Sequence, residues 1–237
     1  MVPFQNPSIY VNGLRIDEPI TVLTDLLVVT VCVFAYIKTK SNNQAKEVTL
    51  YRWFLLITGV STFISAIIGH AFLYQFGFNA KIYGWVTGIV SIVLAQLAAL
   101  YNAREVLGEK KFKLLFWINI IEIVLALVLL FSVFSFVIVE VHSALGLVLT
   151  VALLEYINYK QTKSELSKHM MIGVGIAVLA VLCHIFKLAF SVWFNHMDLS
   201  HMIIAVAVFV MYKGIASSVL IKSKEEEEES LTIQTSI

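Results

Sequence analysis

Seven apolar stretches, each close to twenty residues long, fill most of the chain: 19–38, 51–74, 82–103, 112–133, 135–158, 169–191 and 198–221. No other feature limits the fold so tightly. A helix rises about 1.5 Å per residue, so roughly 20 residues cross a hydrocarbon core of about 30 Å. Within lipid each backbone polar group must be satisfied by its own segment, and for runs this long the helix is the solution. The expected fold class is therefore all-α, a polytopic membrane protein of seven transmembrane helices. Composition agrees, with 14% charged residues against about 25% in a soluble domain. All three prolines fall within the first 19 residues, the last at the very start of the first span, so no span carries a proline kink in its interior.

Lys and Arg are retained on the cytoplasmic side of membrane proteins. Lys38, Lys40, Lys46 and Arg52 flank the first connection, and Arg104, Lys110, Lys111 and Lys113 the third. Lys160, Lys163 and Lys168 flank the fifth, and Lys222 and Lys224 follow the last span. The opposite side has Arg15, Lys81 and Lys187. This bias places the N-terminus outside and the C-terminus inside. The expected organisation is a short outer segment over 1–18, a seven-helix domain over 19–222, and a disordered acidic cytoplasmic tail over 223–237, KSKEEEEESLTIQTSI with its neighbours. The start of the chain lacks the basic n-region and cleavage site of a signal peptide, so the first span is expected to be retained. Cys32 and Cys183 lie in apolar runs outside any metal or redox spacing and are expected to be reduced. No basic patch interleaved with aromatics occurs, so no nucleic-acid partner is expected; membrane lipid is.

Ionisable side chains inside a membrane are costly and mark functional sites. Counted along the spans, Asp25, His70, Glu140, His142, His184, Lys187, His196, Asp198 and His201 all fall toward the outer side, and of the histidines only His169 lies at the inner surface. The stretch SVWFNHMDLSHMIIA, which enters the last span, is the densest concentration of polar groups. Imidazole is the commonest metal ligand, and catalytic zinc takes three protein ligands plus water. His70, His196 and His201 are the candidate metal ligands, with zinc as the expected cofactor. His196 and His201 are five residues apart, about 140° around one helix. Sharing an ion thus requires His196 to lie in the loop, Asp198 to cap the helix and His201 to sit in its first turn. The alternative is that His196 and Asp198 are solvated loop residues. Asn195 and Asp198 are the expected cap or supporting residues.

Other polar groups leave options open. His184 and Lys187 share a face and could meet Asp25 or Glu140, or Lys187 could snorkel to the interface. Asn119 and Glu122 could form an interhelical hydrogen bond or a proton relay. Gly84 with Gly88, and Gly173 with Gly175, read as close-packing surfaces.

These residues carry a resemblance. Seven spans with the N-terminus out, a histidine late in the second span and a histidine pair entering the seventh resemble the CREST superfamily, which includes the alkaline ceramidases and the progestin and adipoQ receptors. The segment WFNHMDLSHMIIAVAVFVMYKG is also similar to a box, N-H-x-D-x-x-H followed by a basic residue and Gly, in bacterial seven-helix membrane proteins. Here it is Asn195, His196, Asp198, His201, Lys213 and Gly214. The resemblance implies a zinc-dependent hydrolase of a lipid amide or ester, with His70, His196 and His201 as ligands and a zinc-bound water as nucleophile. It also implies a serine one turn before the first histidine and an acid after it. This chain has Ala66 at the first position, no aspartate in the third span, and HxxxxH where the ceramidases have HxxxH. Asp25 or Glu140 are the candidates for the missing catalytic acid. The expected setting is a bacterial inner membrane with the site on the periplasmic side. The rival reading is a non-enzymatic sensor or small-molecule carrier with a polar outer pocket. A retinal protein attached through Lys213 ranks third, because no acid in the third span would serve as counter-ion.

Overall fold

The computed structural model describes residues 7–40 and 45–235, with side chains as far as Ile221. Residues 1–6 of the expected outer segment and the end of the expected tail lie outside it. Strands β1 (Ser8–Val11) and β2 (Leu14–Asp17) form an antiparallel hairpin, turned by Asn12 and Gly13, both at positive φ. The helices are α1 (Pro19–Lys38), α2 (Lys46–Ala71), α3 (Phe78–Asn102), α4 (Glu109–Val133), α5 (Phe136–Thr162), α6 (Glu165–Ile185) and α7 (His196–Thr235). Each is long and apolar enough to span a membrane, the last over His196–Ile221. The chain is thus all-α apart from the hairpin, with the features of an integral membrane protein.

Each helix buries one stripe and offers the rest to lipid. On α1 the stripe is Thr21, Thr24 and Asp25, Val28, Cys32 and Ala35, a three-to-four residue spacing that keeps one face inward. Helices α1, α2, α3, α5, α6 and α7 pack in that order around the bundle, with α7 returning to α1, and α4 lies outside against α3 and α5. Accordingly Leu114, Trp117, Ile121, Val124, Val128 and Phe131 of α4 are exposed. Close approach of α2 and α3 depends on missing side chains. A Cβ on Gly84 would lie 2.6 Å from Ser65 Oγ, and Ser61 Oγ donates to the Gly84 carbonyl at 2.9 Å. Gly173 meets Met211 in the same way, whereas nothing lies within 4 Å of a Cβ on Gly175. Gly175 is therefore not a packing contact.

Two spans contain π-helical turns, Ser65–Ala71 in α2 and Leu145–Ala152 in α5. Such wide turns shift the facing of the residues that follow and concentrate at functional sites; the first holds His70.

Several boundaries differ from the sequence reading, most of all the end of the sixth span and the start of the tail. The sixth span ends at Ile185, six residues early. Residues 186–191, FKLAFS, are apolar enough to extend the span by composition, yet Lys187 adopts φ 52 and turns the chain. At the other end, the acidic stretch 223–235 continues α7 as helix where a disordered tail was expected. Lys and Glu are good helix formers, and no Gly or Pro follows Gly214 to stop it.

Candidate functional site

Asp25 lies one and a half turns into α1, its side chain 2% exposed. Two imidazoles from other spans reach it. His201 of α7 places Nδ1 3.2 Å from Asp25 Oδ1 and 3.2 Å from Thr24 Oγ1. His70, at the end of α2, points Nε2 toward Asp25 Oδ2 at 3.9 Å. That distance is beyond a hydrogen bond, and Oδ2 has no hydrogen-bond partner. The far side of His70 is held by Glu18, whose Oε2 lies 2.6 Å from Nδ1. Glu18 comes from the turn between hairpin and α1, at φ 48, just before Pro19 fixes the first turn of helix. With the Glu18 carboxylate accepting from Nδ1–H, the His70 ring is oriented so that Nε2 faces Asp25. Nε2 and Oδ2 thus face each other inside the protein at 3.9 Å without a hydrogen bond between them.

The start of α7 sets the direction of its two histidines. Asn195, not Asp198, is the N-cap: its Oδ1 accepts from Met197 N at 2.8 Å. Asp198 Oδ2 accepts in return from Asn195 N at 2.6 Å, completing a capping box. His196 is therefore the first residue of the helix rather than a loop residue. The rotation of about 140° between positions five apart sends His201 to α1 and His196 to α6. There the His196 ring packs on His184, centroids 5.0 Å apart, and His196 Nε2 accepts from Lys187 Nζ at 3.2 Å. Glu140, a candidate acid, meets His184 Nε2 at 3.3 Å instead of entering the Asp25 cluster.

The three-histidine set expected from sequence is therefore divided. His70 and His201 approach each other, ring centroids 6.4 Å apart, while His196 belongs to the neighbouring group. Among the described residues no set of three or more His, Cys, Asp and Glu side chains has its donors arranged to hold a metal ion. The donor chemistry of His70, Asp25 and His201 does suit one. It offers two imidazoles and a carboxylate, with an outer carboxylate on His70 of the kind that orients metal-ligating histidines.

The remaining buried polar groups form two further clusters. Glu122 of α4 pairs with His142 of α5 at 2.5 Å, and His142 Nε2 lies 3.3 Å from the Ile89 carbonyl. The interhelical hydrogen bond expected at Asn119 and Glu122 is made by Glu122, to His142; Asn119 Oδ1 and Glu122 Oε2 are both without hydrogen-bond partners. The two residues share one helix face, and the strong donor, His142, comes from the adjacent helix. At the opposite end of the bundle Glu155 is fully buried. It accepts from the Tyr51 hydroxyl and from Asn102 Nδ2 at 2.7 Å. Ser167 Oγ ties this group to Asn102 and Asn158, accepting at 3.2 and 3.0 Å. Lys213, the candidate retinal attachment point, lies over the Phe209 ring at 5.3 Å.

Midway along the bundle is a cavity of about 180 Å³, lined by Thr58, Ser61, Ser91 and Ser143 among apolar neighbours such as Ile204 and Met211.

Sequence reasoning missed Glu18, Thr24 and Glu155. Glu18 read as part of an outer segment, and its signal was its place directly before a helix-starting proline. Glu155 lies near the end of the fifth span with Lys160 close behind it, a place where composition gives no sign of burial.

One protein-family model, described as a family of unknown function (DUF6962), matches residues 20–219, which include Asp25, His70, Asn195, Asp198 and His201. No curated protein and no solved structure matches the chain.

Proposed function

We propose that this chain, which belongs to the family of unknown function DUF6962, is a metal-dependent integral-membrane hydrolase acting on a lipid amide or ester. The observation that carries the reading is the approach of His70 Nε2 to Asp25 Oδ2 at 3.9 Å, with Oδ2 buried and without a hydrogen-bond partner. With the His70 proton on Nδ1, a lone pair would face the Asp25 carboxylate, and a cation between them would remove the cost of that approach. His70, Asp25 and His201 are the residues that would hold zinc, with Asp25 in the place that sequence alone gave to His196. Zinc would supply a water of lowered pKa and polarise a carbonyl. Glu18 fixes the His70 ring, and Thr24 steadies His201. Asp198 keeps Oδ1 3.5 Å from the Thr24 hydroxyl, which puts a second carboxylate within reach of a proton leaving the site. The mid-bundle cavity offers room for the apolar part of a lipid. The resemblance to the CREST superfamily and the Lys/Arg asymmetry support the reaction class and an outward-facing site in a bacterial inner membrane.

Metal analysis of detergent-purified protein tests the proposal. The expected result is bound zinc that is lost in His70→Ala and His201→Ala and kept in His196→Ala. A metal-free unaltered protein overturns it. A second reading, a sensor or carrier that needs no metal, is favoured by one contact: His201 Nδ1 already reaches Asp25 Oδ1 at 3.2 Å. It predicts ligand binding without turnover that is indifferent to chelators.

A further inference from the structure

The group formed by His184, Lys187 and His196 has no part in the chemistry above, yet it opens beside it. Lys187 follows the last turn of α6. Its N–H donates to the His184 carbonyl at 3.3 Å, and Leu188 N–H donates to the Cys183 carbonyl at 3.0 Å. These two bonds make a Schellman ending, and Lys187 holds its left-handed position, where glycine is favoured. This end of the bundle is also poor in cations: Arg15, Lys81 and Lys187 are set against the many lysines of the other end.

The local inventory is rich in donors. Lys187 spends one N–H on His196 Nε2 and keeps two. His196, accepting at Nε2, carries its proton on Nδ1. Among the described residues Glu140 is the carboxylate that pairs with the group, through His184, and Asp198 and Glu18 lie within electrostatic reach of His196. The loop that follows is apolar and protrudes, with Phe186 68%, Phe190 79% and Trp193 49% exposed. It is a compact turn, in which Phe190 N and Ser191 N both donate to the Phe194 carbonyl at 3.1 Å. Of these, Trp193 is of the kind that settles at the headgroup level of a bilayer, while the two phenylalanines suit the apolar region below it.

We infer that Lys187, His184 and His196, with the loop 186–194, bind the anionic headgroup of a phospholipid in the adjoining leaflet. Surplus donors match phosphate oxygens, and the aromatic loop matches the acyl boundary below them, which a free phosphate ion would not need. The inference deepens the proposed function by naming the lipid class that is presented to the Asp25 site, since His196 opens the helix whose second turn carries His201.

Fluorescence quenching tests it without any need for turnover. Trp53, Trp85 and Trp117 are replaced by Phe, leaving Trp193 as the reporter in full-length protein in phosphatidylcholine vesicles. Brominated phosphatidylglycerol or brominated phosphatidylcholine is added at equal mole fraction. Phosphatidylglycerol is expected to be enriched about fivefold at Trp193, the effect of one basic group at an anionic lipid surface. Lys187→Gly, which suits the backbone at that position, should abolish the preference while leaving quenching by phosphatidylcholine intact; Lys187→Arg should retain it. Asp25→Asn should also retain it, so a failure of the metal proposal stays separable. Equal quenching by both lipids, absence of quenching by either, or loss of the preference on adding inorganic phosphate would each overturn the inference.

Discussion

Asp25 Oδ2 and His70 Nε2 face each other across 3.9 Å in the bundle interior without a hydrogen bond between them, while Glu18 grips the other side of the same imidazole at 2.6 Å. The pair joins the first and second spans, and His201 brings in the seventh. A span carrying a buried carboxylate must answer for its charge, and here the answer comes from two neighbouring helices.

If Glu18 orients His70 for a metal, Glu18→Gln should weaken zinc binding by about 10- to 100-fold, the usual effect of losing an outer-shell carboxylate. Titration with a competing chelator reads this directly. His184→Ala, outside the site, should leave the affinity unchanged, and equal losses in the two variants would count against the assignment.

The Glu122–His142 pair should matter for stability and not for metal. The His142 side chain is 1% exposed, and removing one partner of a buried pair costs about 3–5 kcal/mol. His142→Ala should therefore lower the thermal unfolding temperature in detergent far more than His184→Ala, whose pair with Glu140 is 29% and 38% exposed and worth at most about 1 kcal/mol.

Tyr51→Phe removes one donor from Glu155 at the far end of the bundle. An acceptor left unsatisfied in a buried site costs about 1–3 kcal/mol. The expected outcome is a less stable protein with unchanged zinc content, read by thermal unfolding and metal analysis of the same preparation.

Asn195→Ala should cost about 1 kcal/mol through loss of the cap, whereas Asn195→Ser should keep most of the stability. Because this cap fixes the phase of the helix that aims His201 at Asp25, the alanine variant should also weaken metal binding. Unchanged binding would mean that packing of α7 alone positions His201.

Gly84→Val adds side-chain atoms where even a Cβ would lie 2.6 Å from Ser65 Oγ. Separating α2 from α3 should destabilise the bundle by about 1–3 kcal/mol. Gly175→Val, in open space, should have little effect, and thermal unfolding of the two variants side by side makes the comparison.

The seven spans were legible in the sequence because hydropathy over twenty residues is a local, additive property, and a bilayer leaves one solution for it. The importance of the NHMDLSH stretch was legible too, since polar groups so dense within apolar sequence demand partners. Its geometry was half legible. The angle of about 140° between positions 196 and 201 already forbade a shared helical face, but not which residue would begin the helix. That was decided by the reciprocal bonds of Asn195 and Asp198, which make His196 helical and turn it toward α6. The end of α6 was misread because Phe186, Leu188 and Phe190 are as apolar as a span, and the backbone of Lys187, not composition, ends the helix.

Composition and periodicity thus determined that the chain crosses a membrane seven times and gathers five of its six histidines toward one end. Tertiary structure alone decided the partners. Asp25 meets His70 and His201, Glu140 meets His184, Glu122 meets His142, and Glu155 meets Tyr51. Each of these pairs joins different helices. Such pairing depends on the rotation and depth of one helix against another, which follow from close contacts such as Gly84 on Ser65 and Gly173 on Met211. No single span encodes those relations, because each residue's facing acquires meaning when the neighbouring helix is in place.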